Sequence, residues 1–164
     1  MRSQSLIEQL GLVPHPEGGH YREFFRSSHG VTPDDGRPHR SALTCIDFLL
    51  QAGEFSAWHR VSSDEAWHFL EGDPLKLWCV PPSLDRVEQV ILSPASATTA
   101  PRHVVPAGWW QAAGPLGEYA YVGATVGPGF EFADFSFGRD DEAFMNALAR
   151  LDKSLQRLAG TARS

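Results

Sequence analysis

Short apolar runs, separated by glycine, proline and polar turn residues, make up most of the chain between residues 14 and 138. Runs of this length are typical of β-strands, and the residues between them favour tight turns. The runs lie at residues 41–50, 55–61, 65–72, 75–80, 87–93 and 118–126. The pattern predicts an all-β domain of about eight or nine strands in a double-sheet barrel.

Both ends of the chain show a helical pattern instead. A short N-terminal helix is predicted to end at Gly11, a residue suited to a helix C-terminus. Near the C-terminus, apolar residues recur every three or four positions, at Phe144, Leu148, Leu151, Leu155 and Leu158. This spacing predicts one amphipathic helix over about 140–159. Because no linker interrupts the sequence, we expect a single domain over residues 1–164, with the β portion at about 14–138.

The composition narrows the class of protein. Hydrophobic residues make up 42% and charged residues 21% of the 164 residues, as in globular proteins. The net charge of -6 argues against a nucleic-acid partner, which usually requires a clustered basic face. We find no apolar run that would span a membrane and no secretion signal at the N-terminus. With only two cysteines, a cytoplasmic protein is expected.

The segment at residues 53–72 begins and ends with glycine and carries His59, Val61 and Glu65. Its spacing resembles the first motif of the cupin superfamily, G-x5-H-x-H-x3-E-x6-G. Val61 takes the place of the second histidine. The resemblance implies a cupin jelly roll in which the side chains of His59 and Glu65 point into the barrel.

A second match lies at residues 106–111, PAGWWQ, which resembles the cupin motif P-x-G-x2-H with Gln111 in place of the histidine. Three further segments, PEGGHYRE, SDEAWHF and GPGFEFADF, are similar to those of a cupin subgroup of small proteins whose function is largely unassigned. Together these segments cover nearly all of the predicted β portion.

Alternation along the strands extends the predicted interior set, because every second side chain of a strand lies on the same face. From the positions of the two motif residues, the predicted set is His59, Glu65, Trp67, Phe69, Trp109 and Gln111. We assign acid–base catalysis to His59 and Glu65. Ligand contacts are assigned to Trp67, Phe69, Trp109, Gln111 and Tyr121. The sequence leaves open which way Tyr119, Tyr121, His68 and His103 face.

The resemblance also implies a metal question. Metal-binding cupins use two histidines and a glutamate from the first motif and a third histidine from the second. Here that set reduces to His59, Glu65 and Gln111, and an amide oxygen is a weak ligand for a first-row metal. We therefore expect no stable metal cofactor, although these three residues would hold a divalent metal if one were bound.

The resemblance suggests a metal-independent isomerase or epimerase acting on a carbohydrate-like ligand such as a sugar or sugar nucleotide. Metal-free cupins that epimerise nucleotide-linked keto sugars use a histidine base and a tyrosine acid in the same barrel. Two alternatives remain: a non-catalytic cupin that binds a small ligand, and a metal-dependent cupin enzyme. A homodimer is expected, because the strand at 21–27 could extend a neighbour's sheet.

Overall fold

Two antiparallel β-sheets face each other across the core of this computed structural model, which describes residues 1–160. Residues 161–164, which the predicted domain includes, lie outside the described residues. The helices are α1 (Arg2–Leu10) and α2 (Glu142–Leu151), with short 3-10 turns at Phe132–Asp134, Gly138–Asp140 and Lys153–Ala159. The strands are β1 (Val13–Pro14), β2 (His20–Arg26), β3 (Gly30–Val31), β4 (Arg40–Ser41), β5 (Thr44–Gln51), β6 (Ser56–Val61), β7 (Asp64–Gly72), β8 (Leu75–Val80), β9 (Glu88–Leu92), β10 (Arg102–Val105), β11 (Trp110–Pro115), β12 (Tyr119–Gly127) and β13 (Phe135–Phe137). No helix within residues 1–160 is long and apolar enough to cross a membrane.

The strand order confirms the predicted jelly roll. One sheet has six strands in the order β1-β2-β5-β12-β7-β10, and the other has five in the order β13-β6-β11-β8-β9. Strands β3 and β4 form a separate pair. Strands distant in sequence are therefore neighbours in space, as in a double-sheet barrel.

The inner faces of the sheets pack tightly along only part of their length. On β5, Phe48 and Leu50 belong to the main core cluster together with Trp67. Further toward the beginning of the same strand, Thr44 and Ile46 line a cavity. The barrel thus has a packed part and an open part, and the same strands contribute to both.

The C-terminal region packs on the outside of the five-stranded sheet through an apolar cluster that includes Trp58, Trp110, Phe144, Leu148, Leu155 and Leu158. The helix is shorter than the predicted range of 140–159, because Asp152 takes an extended conformation with φ -160° and ψ 96°. The side chain of Asp152 then accepts a hydrogen bond from the backbone N–H of Ser154, and the 3-10 turn begins there. The apolar stripe continues across this break, since Leu155 and Leu158 remain buried.

The outer face of the six-stranded sheet, defined here by Phe25, Leu70 and Val104, carries exposed apolar side chains. Their exposed fractions are 47%, 50% and 54%, respectively. Phe25 lies opposite Cys45 in the sheet register, and Val104 lies opposite Ala66. An apolar strip therefore crosses the sheet on the side away from the core, a feature typical of protein interfaces.

Candidate functional site

The open part of the barrel holds a cavity of about 420 Å³, which is within the usual size range for small-molecule sites. Its walls are largely apolar and include Tyr21, Ile46, Val61, Val126, Phe130, Phe132 and Phe135. Four titratable side chains of the lining are buried: His15, Glu17, His59 and Glu65. The cavity is therefore an apolar chamber with a small group of titratable residues at its buried end.

The hydrogen bonds of His59 fix which ring nitrogen carries the proton. Nδ1 lies 2.7 Å from the carbonyl oxygen of Ala57, and a carbonyl can only accept, so Nδ1–H donates. Nε2 lies 3.1 Å from Oε2 of Glu17. Burial lowers the pKa of His59 and raises the pKa of Glu17, which favours a neutral pair in which the Glu17 carboxyl donates to Nε2.

Glu65 is held by a relay of side chains from two other strand positions, Gln111 and Trp67. The indole Nε1 of Trp67 donates to Oε1 of Gln111 at 2.8 Å. Because an indole N–H can only donate, this bond fixes the amide orientation, and Nε2 of Gln111 donates to Oε1 of Glu65 at 2.6 Å. Burial raises the pKa of Glu65 to about 7. Glu65 is therefore close to half ionised at neutral pH.

Glu17 reaches the cavity because two glycines follow it. Gly18 and Gly19 have φ angles of +117° and +72°, a region that side chains other than glycine rarely adopt. A Cβ on Gly18 would also collide with the carbonyl oxygen of Phe55, and one on Gly19 would lie 2.7 Å from the carbonyl oxygen of Leu49. The close approach of this loop to the strands places the Glu17 carboxyl beside His59.

The aromatic wall of the cavity is defined by Phe130, Phe132 and Phe135, whose rings meet edge to face at centroid distances of 5.0 to 6.4 Å. The ring of Phe135 also stacks on the imidazole of His59 at 5.1 Å. Within the same segment, the buried carboxylate of Asp134 forms an ion pair with the buried Arg40. This ion pair fixes the segment that carries the aromatic wall.

The family comparison agrees with the jelly-roll fold. The model described as "Cupin superfamily (DUF985)" matches residues 4–138, most of the chain. The chain is a cupin. No protein of curated function matches its sequence.

Solved structures are similar to this cupin over nearly all of its length. A hypothetical protein from Leishmania major is 28% identical, with a TM-score of 0.86, and the match covers 96% of this chain and 98% of that one. A protein from Shewanella oneidensis is 30% identical, with a TM-score of 0.81 and coverage of 97% and 98%. An oxalate decarboxylase from Bacillus subtilis is 13% identical, with a TM-score of 0.59 over 92% of this chain and 38% of that one. At that identity the similarity supports the fold alone.

Of the predicted site residues, His59 and Glu65 line the cavity of this cupin, and the five predicted ligand contacts do not. Trp67 and Phe69 lie in or against the packed core cluster, and Trp109 packs on the same cluster. Gln111 lies behind Glu65 and contacts it without lining the cavity. Tyr121 is on the other side of the sheet, where its hydroxyl donates to Oδ1 of Asp47 at 2.7 Å. The ligand contacts assigned to these five residues stay a prediction, and the cavity lining offers a different set of contacts.

The physical reason is that alternation gives the face of a side chain but not its depth in the barrel. Trp67 does point inward like Glu65, but it contacts the ring of Phe48 in the packed part. Tyr121 faces outward because its neighbour Val122 occupies the inner face of β12. The other residues left open also lie outside the cavity lining: Tyr119 donates to Glu71, and His68 and His103 are on β7 and β10.

Residues from two segments outside the cupin motifs were missed by the sequence analysis. His15, Glu17 and Tyr21 come from PHPEGGHY, and the aromatic wall comes from GPGFEFADF. Both segments carry the family resemblance, but their patterns indicate mainly a turn and a closing strand. The glutamate beside a glycine pair and the repeated phenylalanines were the available signals.

The residues at the motif positions do not fit the metal site known from other cupins. Val61 has no donor atom, and the oxygen of Gln111 is directed to Trp67 while its NH2 group faces Glu65. The free imidazole nitrogen of His59 is engaged with Glu17. Among residues 1–160, no three or more His, Cys, Asp or Glu side chains are grouped so that they could hold a metal ion.

Proposed function

We propose that this cupin is a metal-independent enzyme of the cytoplasm that isomerises or epimerises a small molecule by moving a proton. One observation supports this most: Glu17, His59 and Glu65 share one largely apolar cavity. Burial raises the pKa values of Glu17 and Glu65 and lowers that of His59, so that a carboxyl group can hold a proton beside a neutral imidazole. Groups with such pKa values in a cavity are suited to acid–base catalysis near pH 7.

The three groups divide into a base and an acid. Glu65, with a pKa of about 7, is the proposed base that removes a proton from a carbon of the ligand. The Glu17 carboxyl and the His59 imidazole share a proton across 3.1 Å and form the proposed acid that returns a proton to another position or face. Removal and return of one proton leave the ligand's composition unchanged, as an isomerase requires.

The cavity lining gives less support to a sugar nucleotide than to other ligands. A phosphate group would call for an available cation. The two arginines of the lining are already paired: Arg22 lies 3.3 Å from Asp47, and Arg26 lies 2.7 Å from Glu23. We therefore keep the reaction type that the cupin resemblance suggests, an isomerisation or epimerisation. The class of substrate is inferred from the cavity lining instead.

Hydrogen exchange with the solvent tests this function on many candidate substrates at once. A panel of small carbonyl and amino compounds is incubated with the protein in D2O, and deuterium incorporation at carbon is measured by mass spectrometry. We expect one class of compound to gain deuterium, and Glu65→Gln and His59→Ala to reduce the rate at least about a hundred-fold, the usual contribution of a general base. Glu71→Gln, a surface substitution of the same type, serves as the matched control. Full exchange by Glu65→Gln would contradict the assignment.

Binding without chemistry is the second candidate. His59 is only 2% exposed and stacks on Phe135, as a packed residue of a binding protein would. A binding protein predicts saturable ligand binding with no deuterium incorporation by the parent protein. The exchange experiment therefore separates the two candidates.

A further inference from the structure

We propose that the cavity binds a small organic cation, an amine or quaternary ammonium compound with an apolar body. In the bound state its positive group would lie near Glu65 and its body against the aromatic wall. This inference rests on the proposed function only in taking the same cavity as the substrate site.

The charges around the cavity favour a cation. Four carboxyl groups belong to the lining, from Glu17, Glu23, Glu65 and Glu131. Arg26 contacts both Glu23 at 2.7 Å and Glu131 at 3.2 Å; we call these three residues the rim cluster. The rim cluster therefore carries one net negative charge before the buried glutamates are counted.

An anionic ligand has no free counter-charge among the described residues of the lining. The remaining arginine, Arg22, is paired with the buried Asp47. Burial lowers the pKa values of His15 and His59, so both imidazoles are held in the neutral form. An anion would therefore approach buried carboxyl groups, whereas a cation would be stabilised by them.

The aromatic wall supplies the second, independent argument. Phe130, Phe132 and Phe135 all line the cavity, and the faces of aromatic rings attract cations. Phe132 is 53% exposed, so the wall reaches from the buried end to the opening. Aromatic rings combined with a carboxylate can recognise ammonium groups through charge while the rest of the ligand packs on the rings.

A bound cation would also change the protonation of the base. The titratable groups that act on Glu65 are His59 on β6 and Glu17 in the loop before β2, and Gln111 on β11 adds a neutral donor. The other titratable groups that line the same cavity are His15, Tyr21, Arg22 and the rim cluster. A cation beside Glu65 favours its carboxylate over its acid form. Ligand binding would therefore release a proton wherever Glu65 is protonated and increase the fraction of molecules that carry the proposed base.

Two molecules of the same shape test the charge preference directly: choline and 3,3-dimethylbutan-1-ol, in which a neutral carbon replaces the ammonium nitrogen. Binding to the whole protein is measured by calorimetry at pH 6 and pH 8. We expect choline to bind at least about ten-fold more tightly than the alcohol at pH 8. We also expect its affinity to fall about five- to ten-fold at pH 6, where most Glu65 is protonated. Because choline does not titrate, this pH dependence comes from the protein.

Two variants give the test its controls. Glu65→Gln should weaken choline binding and remove its pH dependence, while the affinity for the alcohol stays the same. Glu71→Gln should leave the affinities for choline and for the alcohol unchanged. Equal affinity for the two molecules, no choline binding in the millimolar range, or tighter binding of the anion 3,3-dimethylbutanoate would overturn the proposal.

The two proposals can fail separately. Deuterium exchange on neutral compounds without a preference for choline would leave the enzyme assignment standing and remove the cation. A preference for choline combined with no exchange on any amine would keep the ligand class and remove the catalysis.

Discussion

Replacing Glu65 with glutamine should make the protein more stable at alkaline pH. The pKa of the Glu65 carboxyl rises from 4.5 to about 7 in the folded protein, chiefly because of burial. The folded state therefore holds this proton more tightly than the unfolded state. The parent protein then loses stability as the pH rises from about 4.5 to about 7, and the loss is complete above that range.

The magnitude follows from the same pKa values. A rise from 4.5 to about 7 corresponds to about 3 kcal/mol of unfolding free energy. Glutamine cannot ionise, and its oxygen can still accept the hydrogen bond from Nε2 of Gln111. We expect Glu65→Gln and the parent to differ little at pH 4.5, and the variant to be more stable by about 3 kcal/mol at pH 8.

Urea unfolding at a series of pH values measures this difference, and Glu71→Gln is a control of opposite sign. Glu71 accepts hydrogen bonds from Arg2 and Tyr119, which lower its pKa to about 2. Its ionised form therefore stabilises the fold above pH 4.5, and its loss should destabilise the protein at pH 8. Equal unfolding midpoints for Glu65→Gln and the parent at both ends of the series would refute the view that this carboxyl lies in an apolar cavity.

Three further predictions follow from other parts of the molecule. Asp134→Asn should cost about 3–5 kcal/mol in urea unfolding, because Arg40 would remain buried without its carboxylate; the exposed Asp35→Asn is the control. We expect a homodimer that forms through the outer face of the six-stranded sheet. Light scattering should give the mass of a dimer, and the mass of a monomer at micromolar concentration would contradict this. Elemental analysis of untagged protein should find well under one equivalent of transition metal, because Val61 and Gln111 replace imidazoles; stoichiometric metal would contradict the metal-independent assignment.

The sequence predicted the barrel and two of its cavity residues because those signals are local. The alternating run at 55–61 and the returning run at 65–72 correspond to β6 and β7. The motif spacing then placed His59 and Glu65 in the interior, and both line the cavity. Each inference needed only neighbouring residues and the family resemblance.

The remainder of the site depends on contacts between distant segments. Glu17 meets His59 only because Gly18 and Gly19 pass close to two carbonyl oxygens, and neither oxygen belongs to the same segment. Similarly, alternation could not tell that Trp67 lies in the packed part of the barrel while Glu65 lies at the cavity. Depth along a strand is set by what packs from the opposite sheet, and a single sequence does not display that.

The relay from Trp67 through Gln111 to Glu65 makes the site resistant to stepwise conversion into a metal centre. Gln111→His would remove the oxygen that accepts from the buried indole N–H, at a cost of about 1–3 kcal/mol. Trp67→Phe made first would instead leave that oxygen without its donor. Substitutions at positions 67 and 111 should therefore be strongly non-additive, and each order passes through a less stable protein. An engineer who wants a metal in this barrel has to change both positions together with Val61.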